Sequence, residues 1–547
     1  MKLRVRASLE VDNIAMTKNR GKRMKEETRE KGIRLMKKGK KGLFRVVFSR
    51  IGLITILILV QIFMMISMLV WLRDYYLHYS SILTVFTVGM VIYLINSRMN
   101  PSAKITWLIV IMLFPLVGTA FLAYTIGNVG HRKLKKRVEE VIAKTDSFIS
   151  QDEDVLEKMK EESPEAVTMA KYINRSGCYP AFHNTDVTYF PTGEAKFEEL
   201  LKQLEEAKHF IFLEYFIIDE GLMWGEVLEI LARKAKEGVE VRVMYDGTCE
   251  YTTLTTDYAK RVSKLGIKCK VFAPAKPFVS THYNYRDHRK ILVIDGHTAF
   301  NGGINLADEY INETSRFGHW KDTAVMLKGD AVKSFTLMFL QMWSLDEKEY
   351  DITRYLEYNA CPVESRGYVI PYGDCPLDDD KLGEHVYMDM LNRSHKYVHI
   401  MTPYLILDGE LETAIKFAAE RGVDVSLILP GIPDKKSAYA LAKTHYKSLL
   451  ESGVNIYEYE PGFVHAKVCV SDDENAVVGT INLDYRSLYH HFECATYMSG
   501  VECITDIEND FQETLKRCKK VTLDTLKKEK LIVKITGILL KVIAPLL

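Results

Sequence analysis

One polar phrase occurs twice in this chain of 547 residues, and that duplication limits its fold more than any other feature. The first copy reads His288-Arg-Lys290-Ile-Leu-Val-Ile-Asp295, then six residues, then Gly302-Gly303-Ile304-Asn305. The second reads His465-Ala-Lys467-Val-Cys-Val-Ser-Asp472, then six residues, then Gly479-Thr480-Ile481-Asn482. A single H-x-K-x4-D match carries little weight. Two matches 177 residues apart, with the same downstream G-x-x-N offset, imply a duplicated unit. The surrounding phrases agree. The apolar runs 210–218 and 398–406 are strand-like, and each precedes a helical stretch. Lys-Glu-Gly-Val-Glu-Val (236–241) and Glu-Arg-Gly-Val-Asp-Val (420–425) then follow, where Gly ends a helix and an alternating strand begins. Residues 265–272 and 452–459 match in the same way. Strand–helix–strand alternation predicts an α/β fold with parallel or mixed sheets, and two copies predict two similar domains packed face to face. The period is far too long for a solenoid.

The spacing of the phrase suits a particular chemistry. On a strand, residues i and i+2 share a face, so His288 and Lys290 point one way, as do His465 and Lys467. The next strand returns Asn305 or Asn482 beside them. Two such patches facing across a pseudo-twofold axis offer two imidazoles, two ammonium groups and two amides to one cavity. Lys290, Lys467, Asn305 and Asn482 can hold the non-bridging oxygens of a phosphodiester. One neutral histidine can attack phosphorus while a protonated one supplies the leaving oxygen with a proton. No carboxylate or Cys/His cluster with metal-ligand spacing is evident nearby, so the lysines are expected to stand in for metal ions, and no cofactor is expected.

Charge and hydropathy divide the rest of the chain. Residues 1–50 hold 17 Lys/Arg and 5 Asp/Glu, a local charge of +12, which leaves −11 for the remainder. A mildly acidic body is a poor nucleic-acid groove, and no nucleic-acid partner is expected. Nine cysteines without a C-x-x-C spacing argue against a disulfide framework or a zinc module. Cys269, Cys469 and Cys494 lie in apolar strand-like runs and are expected to be buried free thiols. Residues 51–72 carry no charge over 22 positions, and two more apolar runs cover 75–97 and 105–127. Three spans are expected, which makes the chain a multi-pass integral protein of the plasma membrane. The basic segments before residue 51 and at 131–137 both favour the inner side, so the spacing leaves the orientation open.

The doubled motif resembles the phospholipase D superfamily, and the chain around it is similar to bacterial cardiolipin synthases. The resemblance extends to the Pro-Ser-Ala turn (101–103), Pro115, Gly118, Gly318-His-Trp-Lys-Asp-Thr323 and Asn482-Leu-Asp-Tyr-Arg-Ser487. It implies two similar phospholipase D-like domains, a phosphohistidine intermediate formed without metal, and phosphatidyl transfer between two phosphatidylglycerol molecules. It also implies that the first-motif histidine, His288, is the nucleophile and His465 the acid. A membrane-bound hydrolase of the same superfamily is the alternative reading. The expected organisation is a basic tail (1–44), apolar segments within 45–130, a helical linker (131–180), a first domain (181–350), a linker (351–365), a second domain (366–521) and an amphipathic tail (522–547).

A neutral imidazole nucleophile needs an acceptor for its other nitrogen. Asp295 and Asp472 belong to the catalytic motif but lie at an odd offset from their histidines, so they are expected to pin the turn. Asp322 and Glu493 occupy corresponding places in the two copies and are the expected orienting carboxylates. Glu214, inside an apolar run, is a further candidate, either functional or a structural ion pair. His490 and His491 are expected in the pocket wall or on the surface, and His282 in a loop that could cover the site. Residues 531–547 read as an amphipathic helix that lies on lipid or caps the second domain.

Overall fold

The structure is a computed structural model. It describes residues 76–127, 131–274, 285–357, 365–378 and 380–546, with isolated positions between 59 and 67 and at 363. The basic tail, nearly all of the first apolar run and the loop containing His282 lie outside the described residues.

Two mixed sheets repeat one strand order. The first runs β1 (Thr185–Phe190), β9 (Ala324–Gly329), β7 (Thr298–Gly302), β6 (Lys290–Ile294), β2 (Phe210–Tyr215), β3 (Glu240–Asp246) and β4 (Lys268–Phe272). The second runs β10 (Tyr368–Asp374), β17 (His491–Ser499), β16 (Asn475–Gly479), β15 (Val468–Ser471), β11 (Tyr397–Met401), β12 (Asp424–Pro430) and β13 (Asn455–Tyr459), with β18 (Cys518–Lys520) added at the edge. Parallel pairing joins β2 to β3 and β11 to β12, while β6–β7 and β15–β16 are antiparallel hairpins. Strand β2 reads Phe-Ile-Phe-Leu-Glu-Tyr and is buried along its whole length, as a strand covered on both faces must be.

An apolar core crosses from one sheet to the other. The helix Val332–Trp343 lies within it and touches β2 and β6 on one side and β10 on the other. Phe339 of this helix stacks on Phe212 of β2 at 4.7 Å. Of the expected buried thiols, Cys469 and Cys494 are buried, whereas Cys269 is partly exposed near the edge of its sheet.

Two short parallel pairings tie the halves together. The strand β5 (Arg286–Asp287) leaves its own half to pair with residues 491–492 of β17. The strand β8 (His319–Lys321) pairs with β14 (Gly462–Val464). These crossings change the expected placement of the motif histidines. His288 precedes β6, and His465 to Lys467 lie in the link between β14 and β15, because the chain there passes from an inter-half pairing to its own sheet.

The apolar segments also depart from expectation. The helix Tyr76–Asn96 packs on Pro101–Leu113, which is separated from Pro115–Gly127 by a break at Phe114. Proline at 115 removes a helix donor and clashes with the preceding turn. The third run therefore forms two helices of 13 residues, each about 20 Å long, rather than one rod. They close on each other through Trp107 and Phe121, whose rings lie 5.5 Å apart. No helix among the described residues is long and apolar enough to cross a membrane, which overturns the reading of a multi-pass integral membrane protein with N-terminal transmembrane helices.

The hairpin is seated on the second half. Asn100 caps the helix Pro101–Leu113 through Ser102 N and donates from Nδ2 to the Tyr489 hydroxyl at 3.0 Å. Thr106 donates from Oγ1 to Val542 O at 2.7 Å, in the C-terminal helix Leu531–Ile543. That helix lies on Lys436–Glu451, where a Cβ at Gly537 would come within 2.2 Å of Ala440 O. Its outer face leaves Leu531, Ile532, Ile538 and Leu539 exposed.

Candidate active site

The crossing strands deliver each motif histidine to a carboxylate of the opposite half. His288 N donates to Phe492 O, and the next residue of β17 is Glu493, whose oxygens both lie 2.9 Å from His288 Nδ1. In the matching place, His465 N donates to Lys321 O, and the next residue is Asp322, whose Oδ2 lies 2.7 Å from His465 Nδ1. With Nδ1 engaged, each ring has Nε2 left for chemistry.

Four buried residues thus form two imidazole–carboxylate pairs. Burial drives the His288 imidazole well below the usual histidine range, against the pull of Glu493. Burial and then Lys467 bring His465 down to about 4, against Asp322. Burial works against charge on both carboxylates, yet His288 holds Glu493 and His465 holds Asp322 below the usual carboxylate range. The resting site therefore contains neutral rings that donate from Nδ1 to anionic carboxylates.

The two carboxylates are seated differently. Glu493 also accepts from the Thr480 and Ser487 hydroxyls. Asp322 accepts from Thr323 N at 2.8 Å and fills the space left by Gly303, where a Cβ would stand 2.1 Å from Oδ1. The variable G-[GT] position of the motif is therefore a seat for the carboxylate, empty of side chain in one half and a donor in the other.

Lys290 and Lys467 are both buried, and their ammonium groups donate to His288 O and His465 O respectively. Burial lowers Lys290 to about 8 and Lys467 to about 7. An arriving phosphate anion would favour their charged forms. Asn305 accepts from Ile217 N at 3.0 Å and donates to Tyr310 OH at 2.7 Å, whereas Asn482 Oδ1 is buried without a partner. Aromatic rings wall the histidines: Phe216 lies 4.8 Å from His288, and Trp320 lies 5.3 Å from His465.

The motif aspartates lie elsewhere. Asp295 adopts φ +51° and accepts from Lys208, His209 and Phe210 N, at the start of β2. Asp472 adopts φ +56° and accepts from His395, Lys396 and Tyr397 N, at the start of β11. Each pins a turn to the neighbouring strand, at the end remote from the histidine. Glu214 sits under the site, 3.9 Å from Arg289. Burial and then the Asp287 charge push its carboxyl well above the usual range. Arg289 also donates to Glu493 O, so this buried cluster braces the segment that carries His288.

Two groups near the pairs escape the reading from sequence, and a third, His491, is expected there only as pocket wall or surface. Lys196, buried and brought down to about 7 by burial, donates to Tyr215 OH at 3.2 Å and feels Asp322 and Lys290. Ser487 closes the phrase that begins at Asn482, and its role is visible only when the helix Tyr485–Tyr489 turns it onto Glu493. His491 is also in the site: its ring lies 5.3 Å from that of His288, and its Nδ1 is 3.5 Å from Glu493 Oε1. Its signal in the sequence is the H-x-E spacing on one strand, which puts both side chains on one face.

Comparison with known proteins finds relatives over most of the chain. The family described as "Cardiolipin synthase, PLD-like domain" matches residues 200–343 and 387–515. The protein named cardiolipin synthase 2 of Bacillus anthracis is 33% identical over 466 residues, covering 84% of this chain and 90% of that one. The cardiolipin synthase of Halalkalibacterium halodurans is 32% identical over 473 residues, covering 85% of this chain and 92% of the relative. A protein of Streptococcus mutans whose name states no activity is 60% identical over 460 residues, covering 84% of this chain and 100% of that one. Among solved structures, phosphatidylserine synthase of Haemophilus influenzae shares the fold with a TM-score of 0.53 at 16% identity, covering 69% of this chain and 97% of that one.

Proposed function

Since the chain belongs to the cardiolipin synthase family of phospholipase D-like phosphatidyltransferases, we propose that it joins two phosphatidylglycerol molecules into cardiolipin and glycerol. The observation that carries this reading is the pair of imidazoles, each held at Nδ1 by a buried carboxylate of the other half.

That arrangement supports the following sequence of steps. A phosphatidylglycerol phosphate enters between Lys290 and Lys467, whose donors face its non-bridging oxygens. His288 Nε2 attacks phosphorus, and the bond to the head-group glycerol breaks. The leaving oxygen takes a proton from His465 Nε2. His465 is neutral in the empty site, and the incoming phosphodiester charge favours its protonated ring. As His288 becomes a phosphatidyl-imidazolium, its Nδ1–H remains on Glu493, which stabilises the positive charge. The terminal hydroxyl of a second phosphatidylglycerol then gives its proton to the neutral His465 and attacks phosphorus. His288 leaves, and cardiolipin is formed.

Lipid substrates also give a use to the exposed apolar faces of the helices Tyr76–Asn96 and Leu531–Ile543. Ile82, Val85, Ile92 and Leu539 on these faces would rest on lipid without crossing it. The test of the function is incubation with phosphatidylglycerol labelled in its head group and in its acyl chains. Labelled cardiolipin with free glycerol supports transfer. Phosphatidic acid as the lipid product would establish hydrolysis instead.

A further inference from the structure

The third histidine of the site is unexplained by the transfer reaction. His491 is buried, and its Nδ1 has no hydrogen-bond partner. It faces the carboxylate that orients the nucleophile. One ligand atom from each of His288, His491 and Glu493 lies within 4.8 Å of the other two. His288 Nδ1 is 2.9 Å from Glu493, and His491 Nδ1 is 3.5 Å from it. Tetrahedral zinc, with metal–ligand bonds of about 2.0–2.2 Å, needs its ligand atoms roughly 3.3 Å apart. Two imidazoles and one carboxylate with a fourth position open is also a donor set that zinc favours.

We propose that His288, His491 and Glu493 form an inhibitory site for zinc(II), so that the metal switches the enzyme off by occupying its nucleophile. This proposal rests on the reading of His288 as the attacking residue, but the metal site itself does not. The chemistry of inhibition is a tautomer change. In the active ring the single proton is on Nδ1, where it is donated to Glu493, and the lone pair is on Nε2. Zinc bound at Nδ1 takes the lone pair there, so the proton moves to Nε2. The ring keeps its one proton and its charge, and the nitrogen that must attack phosphorus has no lone pair. Glu493 exchanges the Nδ1–H for the metal, and His491 supplies its Nδ1, which makes no hydrogen bond. Zinc would thus inhibit a reaction that the proposed mechanism runs on imidazoles and lysines.

The test uses the full chain, stripped with chelator, and zinc as the probe. Zinc binding is measured by competition with a chromogenic chelator, and cobalt(II) is added separately to read the ligand field in visible absorption. The expected result is one tight equivalent of zinc and a tetrahedral cobalt spectrum. Both should be lost in His491→Ala and in His491→Asn, with folding checked by circular dichroism. Loss of an outer partner alone weakens metal binding by about 10–100-fold, so loss of a ligand should weaken it at least that much. Within each protein, the ratio of activity with zinc to activity without it should fall steeply for the natural chain and stay near one for the variants. Equal zinc affinity in the natural protein and both variants would overturn the site. His491-dependent binding with no loss of transfer would overturn the tautomer argument. If no cardiolipin is made but zinc binds with the expected dependence on His491, the site stands and the proposed function falls.

Discussion

His465 and Asp322 meet at 2.7 Å across the boundary between the two halves, and His288 and Glu493 repeat the arrangement at 2.9 Å in the opposite direction. Each half therefore supplies the acceptor for the other half's imidazole.

Replacing either carboxylate with its amide should leave the fold intact and strike the reaction. In Asp322→Asn and Glu493→Gln the acceptor can turn a donor toward Nδ1, which favours the wrong tautomer. The expected loss in kcat is about 10²–10⁴-fold, by analogy with the same change in a serine-protease triad. KM should change much less. Retention of more than half the natural kcat in both variants would refute the orienting role.

Trapping separates the two histidines. His465→Ala lacks the acid and base but keeps His288 on Glu493. With labelled phosphatidylglycerol it should accumulate label on the peptide containing residue 288. Label on residue 465 of a His288→Ala protein would reverse the assignment.

Much of this was readable from sequence, and the limits have physical causes. The duplicated phrase foretold two similar α/β units, because its strand and glycine signals are local. The candidate carboxylates were also legible, since Asp322 and Glu493 sit in equivalent places after their motifs. Their exchange between halves was not, because a symmetric repeat gives the same offsets whichever histidine each serves. Only the pairings of β5 with β17 and of β8 with β14 decide it. The third apolar run misled through its hydropathy, which averages over Pro115 and misses the break at Phe114. His491 reads from sequence only as pocket wall or surface, because H-x-E spacing puts it on the face of Glu493 without showing where its ring is aimed.

Membership of the motif should not imply a part in the chemistry. Asp295→Asn keeps a residue that tolerates φ +51° but weakens three backbone hydrogen bonds at the start of β2. A stability loss of about 1–3 kcal/mol is expected with kcat nearly unchanged, measured by denaturant unfolding and by turnover. A kcat loss as large as that of Asp322→Asn would place Asp295 in the reaction.

Acid should weaken the fold through His465. Its folded value of about 4 is below the ordinary 6.5, so the unfolded chain takes up the proton first as pH falls. Stability from this residue is complete above pH 6.5 and declines toward pH 4, by about 3 kcal/mol in total. The melting temperature of the natural protein should therefore drop more between pH 7 and pH 5 than that of His465→Asn. Parallel curves would contradict the burial argument.

The outer face of the C-terminal helix should govern contact with lipid. Leu531→Asp with Ile538→Asp changes two exposed residues and leaves the Gly537 contact alone. The natural protein should float with phosphatidylglycerol vesicles, and the variant should float far less while keeping its melting temperature. Equal flotation would assign the contact to another surface.

The exchange of carboxylates has a consequence for how such a sequence can diverge. Selection on His288 acts on Glu493 and on the hydroxyls of Thr480 and Ser487, all encoded about two hundred codons downstream. Neither half can decay into a passive support, since its loss would disarm the partner's histidine as well as its own. The halves can drift apart only in matched ways, and Gly303 with Asp322 beside Thr480 with Glu493 records one such divergence.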